Sequence, residues 1–269
     1  MVSVKQLRKT FKRSRKDIAK KKAENKKKKI NEVIEQEVVA VDRLSFEAKN
    51  GEIFGLLGAN GAGKTTTLRC VSTLYKPNDG EIRINGVDVI KDPVYARKNI
   101  AFLTSELKLD KYFTPDYTLT YYGRLHGMSE QEIASRKDEL VDLFGIGEFR
   151  YKKVGELSTG MLQKTSIAVS MIHDPDVIIF DEPTNGLDIL TARKVTDFLV
   201  DQKKRGKTVI ISTHIMSLVE RLCDRIAIII DGALAIEGTL PEILEQTGQK
   251  DLEDAFFHLY GTGEKGERA

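Results

Sequence analysis

The stretch GLLGANGAGKTTTLR, residues Gly55 to Arg69, decides how the rest of the chain is read. It satisfies G-x-x-x-x-G-K-[ST] in full, as Gly58-Ala59-Asn60-Gly61-Ala62-Gly63-Lys64-Thr65. The buried-strand run Ile53–Leu57 leads into it and a helical pattern follows, which is the context such a loop requires. The glycines let successive backbone N–H groups turn inward on phosphate oxygens with no Cβ in the way. The start of the helix adds partial positive charge. Lys64 is then the cation for β- and γ-phosphates and Thr65 a hydroxyl ligand for Mg²⁺. Asn60, Gly61, Ala62, Gly63 and Thr66 complete the candidate cradle. A glycine-rich turn before an ordinary helix is the alternative, and strand, complete motif and helix together weigh against it.

A phosphate cradle needs a carboxylate for the metal and a group that acts on water. DVIIFDEPTNGLD, residues 176–188, offers both. Val177 to Phe180 read as a buried strand, with Asp181 and Glu182 at its carboxyl end, where ligands bind in open α/β sheets. Asp181 is the expected Mg²⁺ carboxylate and Glu182 the expected general base. KTVIISTHIMSL, residues 207–218, ends a second strand run at His214. A lone histidine is more often structural, but one at another strand's carboxyl end is a candidate contact for the γ-phosphate or the attacking water.

Working outward, GELSTGMLQKTSIA, residues 155–168, carries no acid, base, thiol or metal ligand in its core, yet turns helical directly afterwards. Val2–Leu7 and Leu44–Ala48 read as strands. Glu81–Ile84, Asn85-Gly86 and Val87–Val89 form a hairpin with a type I′ turn signal, and Asp231-Gly232 marks a further hairpin turn. Residues 105–170 are mainly helical in pattern, and the apolar runs Val177–Phe180, Thr208–Ser212 and Ile226–Ile230 alternate with amphipathic helices. That alternation belongs to a mainly parallel sheet flanked by helices.

Composition sets the bounds. Residues 1–30 hold 14 Lys/Arg against 2 Asp/Glu, whereas the remainder is acidic in balance, so the net charge of +3 hides a basic head on an acidic body. Such a head fits an anionic partner: a membrane surface, nucleic acid or another protein. Residues 13–37, with Lys26–Lys29 at their centre, read as a low-complexity basic insertion. No apolar run is long enough to span a bilayer and no secretory signal opens the chain, so a cytoplasmic protein is expected. Cys70 and Cys223, far apart in sequence, suggest core thiols in a reducing compartment.

With these pieces the chain resembles the ATP-binding subunit of an ABC transporter, over nearly its whole length from Val4 to about Gly261. The phosphate loop (58–65), the strand with Asp181 and Glu182, and His214 correspond to the family's Walker A, Walker B and switch histidine. Leu157–Met161 stands at the family signature LSGGQ, with Thr159 and Met161 in place of Gly and Gln. Asp188 stands at the D-loop, where Ile189 replaces the usual Pro. The resemblance implies an α/β fold: a P-loop NTPase ABC cassette with a mainly parallel sheet core, an antiparallel β layer and an inserted helical lobe. One ABC domain then spans residues 1–269, with residues 240–269 as the C-terminal segment common in exporter cassettes, seen here in LEDAFFHLYG (252–261).

It also implies that Ser158, Thr159, Gly160 and Met161 act in trans, closing on the ATP held by a second cassette. This explains the chemically mute turn, since a helix start binds phosphate with N–H groups and a serine. VKQLRKTFK (4–12) nominates Phe11 to stack on adenine, and the usual Gln at the lobe entry is Ser105, with Glu106 beside it. The cofactors implied are ATP and Mg²⁺. The partners implied are a second cassette and transmembrane permease subunits, with the chain peripheral on the inner face of the cell membrane. FLTSELKLD, GRLHGMSEQEI and ELSTGMLQK are most similar to the sodium-exporting branch of the family, beside multidrug exporters. A non-transport ABC ATPase acting on ribosomes or nucleic acid is the alternative, and the basic head suits it. Against it, ribosome-acting members usually carry two cassettes in one chain, and this chain has one. A small P-loop kinase is disfavoured, because it leaves the signature and the D-loop without a task.

Overall fold

A computed structural model describes residues 1–14, 18, 36–104 and 108–266, with side chains described to 261. Most of the basic insertion, with Lys20–Lys22 and Lys26–Lys29, and the Ser105–Glu106 pair lie outside the described residues.

Two sheets form the frame. Strands β1 (Val2–Lys12), β2 (Glu37–Ala48), β4 (Asp79–Ile84) and β5 (Val87–Asp88) make an antiparallel layer in the order β2-β1-β4-β5. The second sheet runs β10-β9-β3-β8-β7-β6, from β3 (Ile53–Leu57), β6 (Ile100–Leu103), β7 (Val177–Asp181), β8 (Thr208–Thr213), β9 (Arg225–Ile230) and β10 (Ala233–Gly238). Its strands from β9 to β6 are parallel and β10 joins β9 antiparallel. β3 and β8 are buried at every residue, which is why they read as unbroken apolar runs.

Helix α1 (Lys64–Val71) follows β3, and α2 (Pro93–Asn99) leads to β6. A helical lobe then inserts between β6 and β7: α3 (Pro115–Leu125), α4 (Glu130–Phe144) and α5 (Thr159–Ser170). α6 (Ile189–Lys204) and α7 (Met216–Leu222) alternate with the strands, and α8 (Leu240–Thr247) and α9 (Leu252–Gly266) close the chain. One apolar cluster lies between the two sheets, around Phe46, Phe54, Leu56 and Leu68. A second joins the opposite face of the parallel sheet to the lobe, through Leu140, Phe144, Ile167, Phe180 and Phe198.

Both expected hairpin turns are present, with Asn85 and Gly86 at φ 48° and 83° and Asp231 and Gly232 at 48° and 84°. Three expectations shift. The first strand extends past Leu7 to Lys12, because its far end pairs with Glu37–Val41, so the basic insertion is the connection between two paired strands and Arg13 donates to the Gln36 carbonyl at 2.8 Å. The helices of the lobe begin at Pro115, later than residue 105. β6, which pairs with β7 at the sheet edge, was not foreseen: four residues beside a helix carry too little pattern.

Candidate functional site

The cradle is built on backbone. Gly63 takes φ 101° and Gly61 φ 88°, both in the region open to glycine. A Cβ on Gly63 would lie 2.4 Å from the Ala40 carbonyl oxygen, so this position is closed to any side chain. Helices α2 to α6 each begin with a side-chain cap, from Asp92, Thr114, Ser129, Ser158 and Asp188. α1 begins on Gly63 without one. Its first-turn N–H groups have no intrahelical acceptor and need an outside one, of the kind an anion can supply.

Lys64 crosses this loop. Its Nζ donates to the Gly58 carbonyl at 2.7 Å and to Ala59 at 3.1 Å. The side chain is buried, and that burial lowers its pKa against the opposing pull of Glu182 and Asp181. A cation drawn from water beside a cluster of N–H donors is arranged for phosphate. A cavity of about 290 Å³ opens here. Asn60, Gly61, Gly63, Lys64, Thr65 and Thr66 line it, and so do Asp181 and Glu182.

The acids arrive from β7. Thr65 Oγ1 donates to Asp181 Oδ2 at 2.8 Å, and Ser212 Oγ donates to the other oxygen, Oδ1. Thr65 and Asp181 present hard oxygen donors of the type Mg²⁺ takes, so the residues fit that ion. Glu182, one residue past the strand, takes φ 55° and bends the chain toward β8. Its Oε1 meets His214 Nδ1 at 2.9 Å, its Oε2 accepts from Thr213 Oγ1 at 3.1 Å, and its N–H donates to the Ser212 carbonyl at 2.9 Å. His214 is joined to the site through Glu182 and does not itself line the cavity.

The signature sits apart. Ser158 caps α5, accepting from the Met161 N–H at 3.3 Å, and Ser158 and Thr159 are exposed. Met161 is half-buried and packs with Leu157 and Leu187 on the cluster below the lobe. Its side chain is used for packing, which accounts for an apolar residue where the family pattern has an amide. Asp188 caps α6 through the Thr191 N–H at 3.0 Å and the Thr191 hydroxyl at 2.7 Å, bonds that hold its carboxyl below the usual carboxylate range. A Cβ on Gly160 would stand 3.8 Å from Asp188 Oδ2, so signature and D-loop form one surface. None of these residues lines the cavity beside Lys64 in the same chain.

Phe11 stays with the β layer. Its ring meets Tyr75 edge-on at 5.5 Å between centroids, Lys9 stands over it, and it does not line the cavity. Gly58 and Ala62 support the loop from behind: Gly58 through its carbonyl, and Ala62 by accepting the Gly232 N–H at 3.1 Å. The sequence reading missed Ala40, Arg69 and Thr104 in the lining, and Ser212 and Thr213 behind the acids. The last two are visible in the sequence as two hydroxyl residues directly before His214, but only the register of β8 on β7 shows what they face.

A parallel sheet, a glycine loop at a helix start, a Thr–Asp oxygen pair and an adjacent glutamate define a P-loop nucleoside triphosphatase. Comparison with known proteins narrows the class. The family model "ABC transporter" matches residues 41–185. The chain is 40% identical over 220 residues to the ABC transporter ATP-binding protein NatA of Bacillus subtilis, covering 81% of this chain and 89% of the relative. It is 34% identical over 224 residues to the doxorubicin resistance ATP-binding protein DrrA of Mycobacterium tuberculosis, covering 81% and 68%. A solved structure of an ATP-binding subunit of an ABC transporter superposes with a TM-score of 0.81 at 27% identity, covering 96% of this chain and 99% of that one. The chain belongs to the ABC transporter family, whose cassettes bind ATP with Mg²⁺ and hydrolyse it.

Proposed function

We propose that this cassette hydrolyses ATP in the cavity between Lys64 and Glu182 and powers export through separate membrane subunits. The observation that carries the catalytic part is the Thr65–Asp181 pair at the cradle, with Glu182 held next to it by His214 and Thr213. The first-turn N–H groups of α1 and the Lys64 ammonium bind the β- and γ-phosphates. Thr65 and Asp181 would hold Mg²⁺, which would supply charge neutralisation for the bound phosphates. Glu182 takes the proton of the attacking water, and His214 orients the carboxylate through Oε1.

The second half of each site comes from another cassette. This is supported by the separation of Ser158–Met161 from the cavity of their own chain, by the exposure of Ser158 and Thr159, and by the place of Gly160 beside Asp188. Coupling runs through the helical lobe. A cavity of about 690 Å³ between lobe and core, lined by Arg97, Tyr122, His126 and His173 among others, is the surface assigned to a membrane subunit. Among the described residues no helix is long and apolar enough to cross a membrane. The path for the substrate is assigned to separate membrane subunits, the partners the family pattern implies. Export of a drug or of Na⁺ is supported by the relative named for doxorubicin resistance and by the resemblance of the lobe to the sodium-exporting branch.

Replacing Glu182 by Gln tests the chemistry. The amide keeps the shape and cannot take the proton, so ATP binding persists, hydrolysis falls at least 100-fold and an ATP-bound dimer accumulates. Normal turnover in this variant sinks the assignment. The chain is further assigned to the inner membrane face through the lysines of the insertion, each worth about 1 kcal/mol near anionic lipid. Replacing Lys26–Lys29 by Gln weakens sedimentation with anionic liposomes at low salt. Unchanged sedimentation across a salt series reduces the cluster to a solubilising surface.

A further inference from the structure

The two carboxylates of the site are held by two hydroxyls that are neighbours in sequence. Asp181 and Ser212 are register partners on the parallel pair β7–β8. Parallel register keeps partners on one face, and side chains alternate along a strand. Ser212 therefore meets Asp181, and one residue on, Thr213 meets Glu182. Ser212 Oγ donates to Asp181 Oδ1, and the opposite oxygen of that carboxylate accepts from Thr65. Thr213 Oγ1 donates to Glu182 Oε2 at 3.1 Å and accepts the Ile215 N–H at 3.0 Å. Both residues have 0% exposure, so neither hydroxyl can exchange its partner for solvent. Neither lines the nucleotide cavity.

We propose that Ser212 and Thr213 are positioning residues for the proposed reaction: Ser212 fixes the carboxylate that holds the metal, and Thr213 fixes the carboxylate that takes the proton. The inference rests on the function proposed above. A glutamate side chain has three rotatable bonds, and a general base acts only within hydrogen-bond reach of its proton. His214 restrains one oxygen from an exposed position. Thr213 restrains the other from a buried one. Because it also binds the N–H at the turn into α7, its hydroxyl ties the base to the loop that presents His214. Ser212 does the same for Asp181, leaving the Thr65-facing oxygen directed to the cavity.

Groups that orient metal or catalytic ligands are typically worth 10–100-fold in affinity or activity. Thr213→Val is close to isosteric and removes the hydroxyl. The expected result is a fall in kcat of about 10-fold or more, with KM for ATP little changed. Thr213→Ser restores most of the rate. In a Glu182→Gln background Thr213→Val has no further effect, since the base is already gone. Ser212→Ala is read by Mn²⁺ binding in the presence of ADP, followed by electron paramagnetic resonance, and weakens it about 10-fold, whereas Thr213→Val leaves it unchanged. Thermal midpoint and ATP affinity are measured for each variant, and Thr213→Ala replaces Thr213→Val if the valine does not fold. The proposal is overturned if the hydroxyl-free variants at 213 keep kcat, if Thr213→Ser is as slow as Thr213→Val, or if Ser212→Ala binds Mn²⁺ as the parent does. Full turnover in Glu182→Gln removes the underlying reading of the site and this inference with it. An inactive Glu182→Gln beside a fully active Thr213→Val removes this inference alone.

Discussion

Replacing Lys64 by Met separates the structural from the binding role of its ammonium. In the free protein Nζ is buried, its pKa is lowered chiefly by burial, and its partners are the carbonyls of Gly58 and Ala59. Removing the charge leaves two carbonyls short of a donor, at about 1 kcal/mol each. It also relieves the desolvation of a cation, and Met fills most of the space. These effects oppose, so the stability of the free protein moves little. With nucleotide the balance is one-sided. Charge-assisted bonds are worth about 1.5–3 kcal/mol each. Two of them, to β- and γ-phosphate oxygens, amount to roughly 10²- to 10⁴-fold in Kd.

The assay is thermal unfolding with and without ATP, beside calorimetric titration. At an ATP concentration 100 times the parent's Kd, linkage stabilises the parent by about 2.7 kcal/mol. For a chain of this length that is a rise of about 5 °C in Tm. At the same concentration a variant weakened 100-fold is half-saturated, gains only about 0.4 kcal/mol and moves by less than about 1 °C. A variant that keeps the parent's ligand-induced rise refutes the role of Lys64 in phosphate binding. A free variant that has lost several degrees without ATP shows instead that the ammonium is a structural strut for the loop.

Two further outcomes are expected. Ser158→Arg leaves ATP binding by the dilute monomer intact and abolishes the ATP-dependent dimer, as read by size-exclusion chromatography with light scattering in a Glu182→Gln background; a dimer that persists refutes action in trans, and a protein that unfolds shows that capping of α5 is the larger role. His173 is stacked on His126 at 3.8 Å and its Nε2 lies 3.1 Å from the Ile100 carbonyl. Burial first, then His126, pulls its pKa down to about 4. The folded form thus holds His173 neutral and binds fewer protons than the unfolded chain, so the stabilisation is complete above about pH 6.5 and is lost as pH falls toward 4. His173→Gln flattens the decline in urea-unfolding free energy between pH 7 and 5, and an identical pH dependence in variant and parent refutes this origin.

The parts of the site that were legible in the sequence are those whose geometry is local. The loop from Gly58 to Thr65 requires glycine at 61 and 63 because of its own backbone angles, and Asp181 ends, and Glu182 directly follows, a strand whose other residues are all buried. What escaped depends on contacts made across the fold. Ile100–Leu103 becomes a strand through pairing with β7, and residues 8–12 through pairing with β2 and β4. Ser212 and Thr213 read as ordinary strand residues, because nothing within β8 says which residues of β7 stand opposite. Register alone turns that Ser-Thr pair into partners of the Asp-Glu pair. Phe11 was nominated by the resemblance to stack on adenine; its ring rests edge-on against Tyr75 and is not in the cavity lining.

The distance between the cradle and the signature has a thermodynamic consequence. Within one chain the cavity beside Lys64 is lined by the loop and α1, by Asp181 and Glu182, and by Ala40 and Thr104, with no residue of α5 in its lining. On the proposed function, the N–H groups and serine of α5 act only after a second cassette docks. Dimerisation and ATP binding are then linked equilibria, and linkage is reciprocal: whatever factor ATP adds to dimer affinity, the dimer adds to ATP affinity. Hydrolysis withdraws that factor, because the γ-phosphate is the group both halves hold. Glu182 therefore sets the lifetime of the dimer as well as the rate of the chemistry. Thr213 and His214, which hold Glu182 from the end of β8, stand where a small shift of one strand end changes both.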